Sequence, residues 1–226
     1  MYLITGASRG IGKFLSESFA GVGHEVIGIY KSTEPVSTHQ SYYRLNITKE
    51  EEVNRFFEEH RAKLNNLILI NAAGISYNAV AHRAEISLWK EVIDTNLVAL
   101  FNLIRLVLPI MRNDNYGRII NLSSVVAQQG VAGTTAYAAS KSALWGLCRS
   151  LAVENGNKGV TVNNINLGYF DIGMIEQVPE KIKEDIIQRI PTKRLGKPEE
   201  ILSTVEYIIN TAYLNGTSID LNGGLF

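Results

Sequence analysis

The sequence predicts an α/β fold, a parallel sheet with helices on both faces, and three observations predict it. Short apolar runs recur along the whole chain, and each gives way to a stretch with helical spacing. The run at 67–71, LILIN, is apolar without alternation, as expected of a strand covered on both faces. The first run, 2–5, passes directly into the glycine-rich turn TGASRGIG at 5–12 and then into a helical pattern at Phe14, Leu15, Phe19 and Val22. Strand, glycine turn and helix in that order predict a doubly wound sheet of the Rossmann type. The 226 residues contain no Pro- or Ser-rich linker, repeat or low-complexity tract, so 1–226 is read as a single dinucleotide-binding domain.

Composition excludes several functions. Lys plus Arg equals Asp plus Glu at 22 each, which argues against nucleic acid or an anionic membrane as the main partner. Cys148 is the one cysteine, so no intrachain disulfide forms and a reducing, cytoplasmic setting is expected. No charged leader with an apolar core precedes the first strand. The most apolar helical stretch, 97–111, is interrupted by Asn102, Arg105 and Pro109 and reads as too short and too polar to span a bilayer. His24, His39, His60 and His82 lack metal-ligand spacing, so no metal is expected.

Taken in order, the elements lay out a site. In the first turn Gly6 permits the bend, while Gly10 and Gly12 let backbone approach a ligand. Free N–H groups at the start of the following helix favour a pyrophosphate. The second strand, 25–30, is followed by Lys31 and Ser32 rather than by the acid that holds a bare ribose, and Arg9 lies in the glycine turn. That charge balance suits a 2′-phosphate and favours NADP(H) over NAD(H). The third strand, 42–47, ends at Asn46 and Ile47, where an adenine is expected. Thr48 and Glu51 are expected to form a capping box at the next helix.

The strand at 67–71 runs into NAAG, 71–74, a thin loop over which a flat cofactor can lie. A long helical pattern, 88–111, presents an apolar face interrupted by Asn96, which has either a side-chain task or a solvent-facing position. The strand at 118–122 delivers Ser123 and Ser124, with Ser124 in the loop beyond it, and a helix follows over 137–154. A further strand, 160–165, ends at the turn NLG, 166–168. Residues 169–198 read as a lid, and the last strand, 218–221, precedes Asn222-Gly-Gly.

Tyr137 and Lys141 lie four apart and share a helix face. An ammonium beside the phenol is expected to lower its pKa from the usual value of about 10. With Ser124 directed at the same spot, the chemistry implied is proton transfer at an oxygen, between a carbonyl and an alcohol. The glycine turn, Asn46, NAAG, Ser124 and NLG all follow strands, and ligands in such sheets bind at the carboxyl ends of strands.

Together, TGASRGIG, NAAG, Asn96 in DTNL, Ser124, YAASK, NLG, KRLGKPEE and the closing LNGG resemble the short-chain dehydrogenase/reductase family over essentially the whole chain. Within it the chain is most similar to 3-oxoacyl-(acyl-carrier-protein) reductases. The resemblance implies that Tyr137 protonates the carbonyl oxygen. Lys141 would lower the Tyr137 pKa and hold the nicotinamide ribose, Ser124 would polarise the carbonyl, and Asn96 would hold a water that relays protons. Gly6, Ser8, Arg9, Gly10, Ile11 and Gly12 would wrap the phosphates and the adenosine end. Asn71, Ala72 and Gly74 would line the middle of the cofactor, with Gly168 at the NLG turn.

The chain departs from the family pattern at Ala72, at Leu167 where a proline is usual, and at Ile172 where a threonine commonly holds the carboxamide. Where the carrier-protein reductases place basic residues, it has Asn115 and Lys158. The expected activity is NADP(H)-dependent reduction of a ketone, best a 3-oxoacyl thioester. A sugar, polyol or nucleotide-sugar dehydrogenase of the same family and a non-catalytic dinucleotide-binding sensor are the alternatives. Gln128 and Gln129 can meet hydroxyls, and Tyr77 and Tyr169 lie in loops expected to flank a substrate. A homodimer or homotetramer is expected from apolar helix surface at 97–111 and 144–153.

Overall fold

In the computed structural model, residues 1–35 and 41–225 are described. Seven strands form one sheet in the order β3-β2-β1-β4-β5-β6-β7. They are β1 (Tyr2–Thr5), β2 (Val26–Tyr30), β3 (Ser41–Arg44), β4 (Ile68–Asn71), β5 (Gly117–Ser124), β6 (Val160–Leu167) and β7 (Ser218–Leu221). Every pairing is parallel. The order reverses between β1 and β4, so the loops after these two strands diverge and leave a crevice at their carboxyl ends.

Two cores flank the sheet. Leu15 and Phe19 of α1 (Gly10–Gly21) and Ile201, Val205 and Ile208 of α7 (Pro198–Asn210) pack on Tyr2, Ile4, Ile68, Ile70, Ile120, Leu122, Ile165 and Leu167. On the other face, Leu3, Leu69, Ile119 and Val162 meet α2 (Glu50–His60), α4 (Ala99–Asp114) and α5 (Thr135–Asn155). Each fully buried Leu or Ile contributes roughly 1.5–3 kcal/mol. Two shorter helices, α3 (Ile86–Ile93) and α6 (Glu180–Arg189), complete the chain.

The α5-side face becomes polar toward the carboxyl ends of its strands. Side chains two apart share a face, so Thr5, Asn71, Asn121 and Asn164 stand directly above the apolar tier. They lie in register across β1, β4, β5 and β6, with Ser218 of β7 completing the row. Asn71 Nδ2 donates to Asn121 Oδ1 at 2.9 Å, and Asn121 Nδ2 donates to Asn164 Oδ1 at 3.0 Å. Asn164 Nδ2 donates to Ser218 Oγ at 3.0 Å and to the Leu144 carbonyl of α5 at 3.1 Å. Above this row lie Ser123, Asn166 and Asp220, again in register. Buried amides of this kind are tolerated because each finds a partner. The exception is Asn71 Oδ1, a buried acceptor left without one.

Several boundaries differ from the sequence expectation. β5 extends through Ser124, so this serine ends a strand rather than lying in the loop beyond it. The capping box at Thr48 does not form. Asn46 Oδ1 accepts from the Thr48 N–H and hydroxyl at 3.3 and 2.9 Å, Glu52 Oε2 accepts from the Asn46 N–H at 3.0 Å, and α2 starts at Glu50. The long helix runs 29 residues, Ile86–Asp114, which by length and composition alone is enough to cross a membrane. Its inner residues Val92, Leu100, Leu103, Ile104, Val107 and Met111 are buried in the protein. A π-helical turn, Asp94–Val98, joins α3 to α4 within it.

Candidate active site

The glycine turn and the NAAG loop sit back to back. Thr5 Oγ1 accepts from the N–H groups of Ala72 and Ala73 at 3.1 and 3.0 Å. Gly6 has φ +68°, and a Cβ there would lie 3.0 Å from the Ala73 backbone. A Cβ on Gly12 would collide with the Gly6 carbonyl oxygen. The first turn of α1 carries no acidic residue, and its N-cap, Arg9, makes no side-chain cap. Backbone N–H groups at Gly10 and Ile11 are therefore presented to an anion, and the helix dipole favours one there. The cradle fits a dinucleotide diphosphate.

Gly173, which the sequence reading passed over, closes this cradle from the segment that follows β6. It has φ +82°, and a Cβ on it would stand 4.0 Å from the Ile11 nitrogen. The absent side chain leaves room above that N–H. Its signal in the sequence was a glycine at the start of the GMIEQ segment.

Lys31 and Ser32 are exposed just past β2, and Arg44 Nε donates to the Lys31 carbonyl at 3.2 Å, placing a further cation there. Lys31 and Ile47 line a cavity of about 560 Å³ together with Thr95 and Val98. The Asn46 side chain, however, is held in the turn before α2. Asn71 also differs from expectation: its amide turns into the sheet toward Asn121, so only its backbone faces the crevice edge. Ala72 and Gly74 remain in the loop above. Gly168 lets the end of β6 pass close to the C-terminal strand, since a Cβ on it would lie 2.7 Å from Asn222 Cα.

The residues expected to handle protons converge. Asn96, within the π turn, is fully buried rather than solvent-facing. Its Oδ1 accepts from the Ile75 N–H at 2.9 Å, and its Nδ2 donates to the Ile75 carbonyl at 2.9 Å and to Ser140 Oγ at 3.1 Å. The side chain is thereby committed to holding the NAAG loop and α5 together, and the expected water would have to bind its backbone carbonyl instead. π turns leave backbone groups outside the regular ladder, which makes this possible. A Cβ on Gly74 would approach Asn96 Oδ1 at 3.4 Å and Lys141 Nζ at 3.7 Å, so the glycine keeps open the space beside both.

Lys141 is buried and donates to the Leu122 carbonyl at 2.6 Å. Burial lowers its pKa to about 8. Its Nζ lies 5.6 Å from the centroid of the Tyr137 ring. The Ser124 hydroxyl is near enough to the Tyr137 side chain to act on it as a hydrogen-bond donor, and Ser124 Oγ accepts from the Val126 N–H at 3.2 Å. The expected lowering of the Tyr137 pKa does not appear. Burial pushes it above its ordinary value, the Ser124 hydrogen bond offsets part of this, and the neighbouring Tyr169 adds to the rise. The Lys141 ammonium is drawn to a carbonyl and is itself desolvated, so the phenol stays protonated.

Two of the expected loop residues, Tyr77 and Gln128, are tied down. Tyr77 OH accepts from the Glu85 N–H at 3.0 Å. Gln128 Nε2 donates to Asp220 Oδ1 at 2.8 Å.

Comparison with known proteins agrees with this geometry. The family described as short chain dehydrogenase matches residues 1–183. The chain is 35% identical to an acetoacetyl-CoA reductase of Shinella zoogloeoides, over 99% of this chain and 97% of that one. It is 33% identical to a 3-oxoacyl-[acyl-carrier-protein] reductase of Escherichia coli, over 99% and 96%. A solved structure of a candidate gluconate dehydrogenase from Agrobacterium tumefaciens superposes with a TM-score of 0.91 at 28% identity, covering 100% of this chain and 95% of that one. With the reversed strand order, the glycine cradle and the Ser124, Tyr137 and Lys141 cluster in one crevice, the chain belongs to the short-chain dehydrogenase family, oxidoreductases that take a nicotinamide dinucleotide and a small-molecule substrate.

Proposed function

We propose that the protein reduces a ketone to a secondary alcohol with NADPH, and that the preferred ketone is a 3-oxoacyl thioester. The observation that carries this reading is the convergence of Ser124 and Tyr137 beside a buried Lys141, whose Nζ lies 5.6 Å from the Tyr137 ring centroid. NADPH, when bound, supplies the hydride. Ser124 donates to the carbonyl oxygen and polarises it, and Tyr137 passes its proton to that oxygen as negative charge develops. A phenol held protonated by burial carries the proton that reduction consumes, and the negative charge developing on the carbonyl oxygen draws it off. Lys141 positions the nicotinamide ribose, and the Asn96 backbone carbonyl holds the water that returns the proton.

Preference for NADPH over NADH is supported by Lys31, Ser32, Arg9 and the adjacent Arg44, since neither Lys31 nor Arg9 forms an ion pair among the described residues. The thioester choice is supported by the names of the two reductases above. A sugar-acid substrate is the second reading, favoured by the candidate gluconate dehydrogenase and by Gln128 and Gln129 near the site. Residues 169–198, with a short helical turn at Gly173–Gln177 and α6, act as the lid. Val98 at 54%, Phe101 at 45% and Val153 at 87% exposure suit contact with a second copy. A cytoplasmic setting accords with the single free, buried Cys148.

The test is NADPH oxidation with a short 3-oxoacyl thioester, beside NADH and beside gluconate with either oxidised cofactor. Faster turnover with NADH would remove the argument from Lys31 and Arg9. Turnover of gluconate but of no ketone would move the assignment to the second reading.

A further inference from the structure

The loop after Ser124 is joined to α5 directly, where Ser142 Oγ donates to the Ala127 carbonyl at 3.0 Å, and further along by a chain of four side chains that reaches Gln128. Gln128 Nε2 donates to Asp220 Oδ1 at 2.8 Å, and Asn166 Nδ2 donates to the same oxygen at 2.7 Å. Asn166 Oδ1 accepts from Trp145 Nε1 at 3.1 Å, and Trp145 lies one turn beyond Lys141 on α5. Chemistry fixes every direction in this chain. An indole N–H only donates, so Asn166 turns its oxygen to Trp145 and its NH₂ to Asp220. A carboxylate only accepts, so Gln128 also turns its NH₂ to Asp220, and its Oε1 is directed away from that carboxylate.

Asp220 is exposed and forms no ion pair among the described residues, and the two amides are its side-chain partners. Hydrogen bonds to an ionised acceptor are roughly twice as strong as neutral ones. Gln128 Oε1 has no partner among the described residues, on the loop that Ser124 opens.

We propose that Asp220 is a positioning residue that ties the Gln128 side chain, on the Ser124 loop, to Asn166 and Trp145, and that Gln128 is thereby a specificity residue whose carboxamide oxygen accepts an N–H or O–H donor carried by the substrate beside its ketone. The substrate half of this inference rests on the ketone-reduction reading. An untethered, exposed glutamine would sample several rotamers and lose that freedom on binding, and the Asp220 tether removes the loss in advance. The amide N–H of a thioester arm and the hydroxyl of a polyol both supply the donor.

Three ketones separate the possibilities: ethyl acetoacetate without a donor, the 3-oxobutanoyl thioester of N-acetylcysteamine with an amide N–H, and 4-hydroxy-2-butanone with a hydroxyl. Gln128→Leu and Asp220→Ala should each lower kcat/KM about three- to tenfold, through KM, for whichever donor-bearing ketone the site selects. Ethyl acetoacetate should stay within about twofold, and the NADPH Kd from fluorescence titration should not move. An equal loss on all three ketones, or no loss on any, overturns the specificity role.

The tether is read without turnover, from Trp145 emission in a Trp89→Phe background. Asp220→Ala should shift that emission by freeing Asn166, and an unchanged spectrum overturns the positioning role. If the wild-type protein reduces none of the three ketones, the ketone reading and the substrate half fail together, while the emission result still decides the tether.

Discussion

The two faces of the sheet are built alike at the base and differently at the top. On the α1 and α7 side, the residues approaching the carboxyl ends of β1, β4, β5 and β6 are Ile4, Ile70, Ile120, Leu122, Ile165 and Leu167. On the α5 side the same heights hold Thr5, Asn71, Asn121, Ser123, Asn164 and Asn166, all buried. One face secures its helices by apolar area, which is indifferent to small sliding movements. The other secures α5 by directional bonds: Ser123 Oγ to the Lys141 carbonyl at 3.1 Å, Asn164 to the Leu144 carbonyl at 3.1 Å, and Trp145 to Asn166 at 3.1 Å. Helix α5 carries Tyr137 and Lys141, so register matters on this side. Stability and placement are thus divided between the faces.

Substitutions can break that division, and the largest effect is expected on the polar face. Tyr137→Phe should reduce ketone turnover by about a hundred- to ten-thousandfold while leaving NADPH binding in place; retained turnover would remove Tyr137 as the proton donor. Ile120→Ala, on the apolar face, should cost about 2–5 kcal/mol by denaturant unfolding, with kcat of the remaining folded enzyme little changed. Asn164→Val should cost less, about 1–3 kcal/mol, because it strands the Asn121 amide, and it should lower kcat as well. Pairing it with Asn121→Leu sharpens the comparison. With both amides gone the total cost should fall short of the sum, and simple additivity would mean that the row is not coupled.

Lys141 gives a pH test. Its folded pKa, near 8, lies below the ordinary lysine value of 10.5, so between these pH values the folded chain holds fewer protons than the unfolded chain. Stability then rises with pH. Lys141→Met should therefore be more stable than wild type at pH 7, and the gap in melting temperature should narrow from pH 8 toward 10. Tyr137, raised by burial, acts in the opposite direction only above about pH 10. A gap constant across that window would show that Lys141 is not desolvated. The smallest effect is expected at Gly173→Ala, where a methyl group near the Ile11 nitrogen, on backbone at φ +82°, should weaken NADPH binding about three- to tenfold in a fluorescence titration.

Much of this was legible because it depends on local patterns. The strand runs, the glycine turn and the four-residue spacing of Tyr137 and Lys141 each follow from backbone periodicity, and the family resemblance placed Ser124 and Asn96. The amide row was not legible. Asn71, Asn121 and Asn164 are separated by 50 and 43 residues, and only the register of β4, β5 and β6 brings them together. Asn96 could be read either way, because the partner that decides it, the Ile75 backbone, lies 21 residues off. The sign of the Tyr137 shift was misread for a related reason. A sequence shows a lysine one turn away but not the carbonyl of Leu122 that takes its charge, nor how completely the phenol is covered. Thr48 shows the limit on the local scale, where the Asn46 side chain two residues earlier captured the groups a cap needs.

The order in which the chain leaves the ribosome bears on when this site can exist. The floor beneath Gly6 consists of Ala72 and Ala73 held by Thr5, so the phosphate cradle cannot take shape until the fourth strand has been synthesised. The amide row waits longer still. Its last hydroxyl, Ser218, and the carboxylate of Asp220 arrive only with β7. A nascent chain arrested before β7 would hold the glycine cradle together with Ser124, Tyr137 and Lys141, yet Asn164 and Asn166, the β6 amides that hold α5, would each lack one partner.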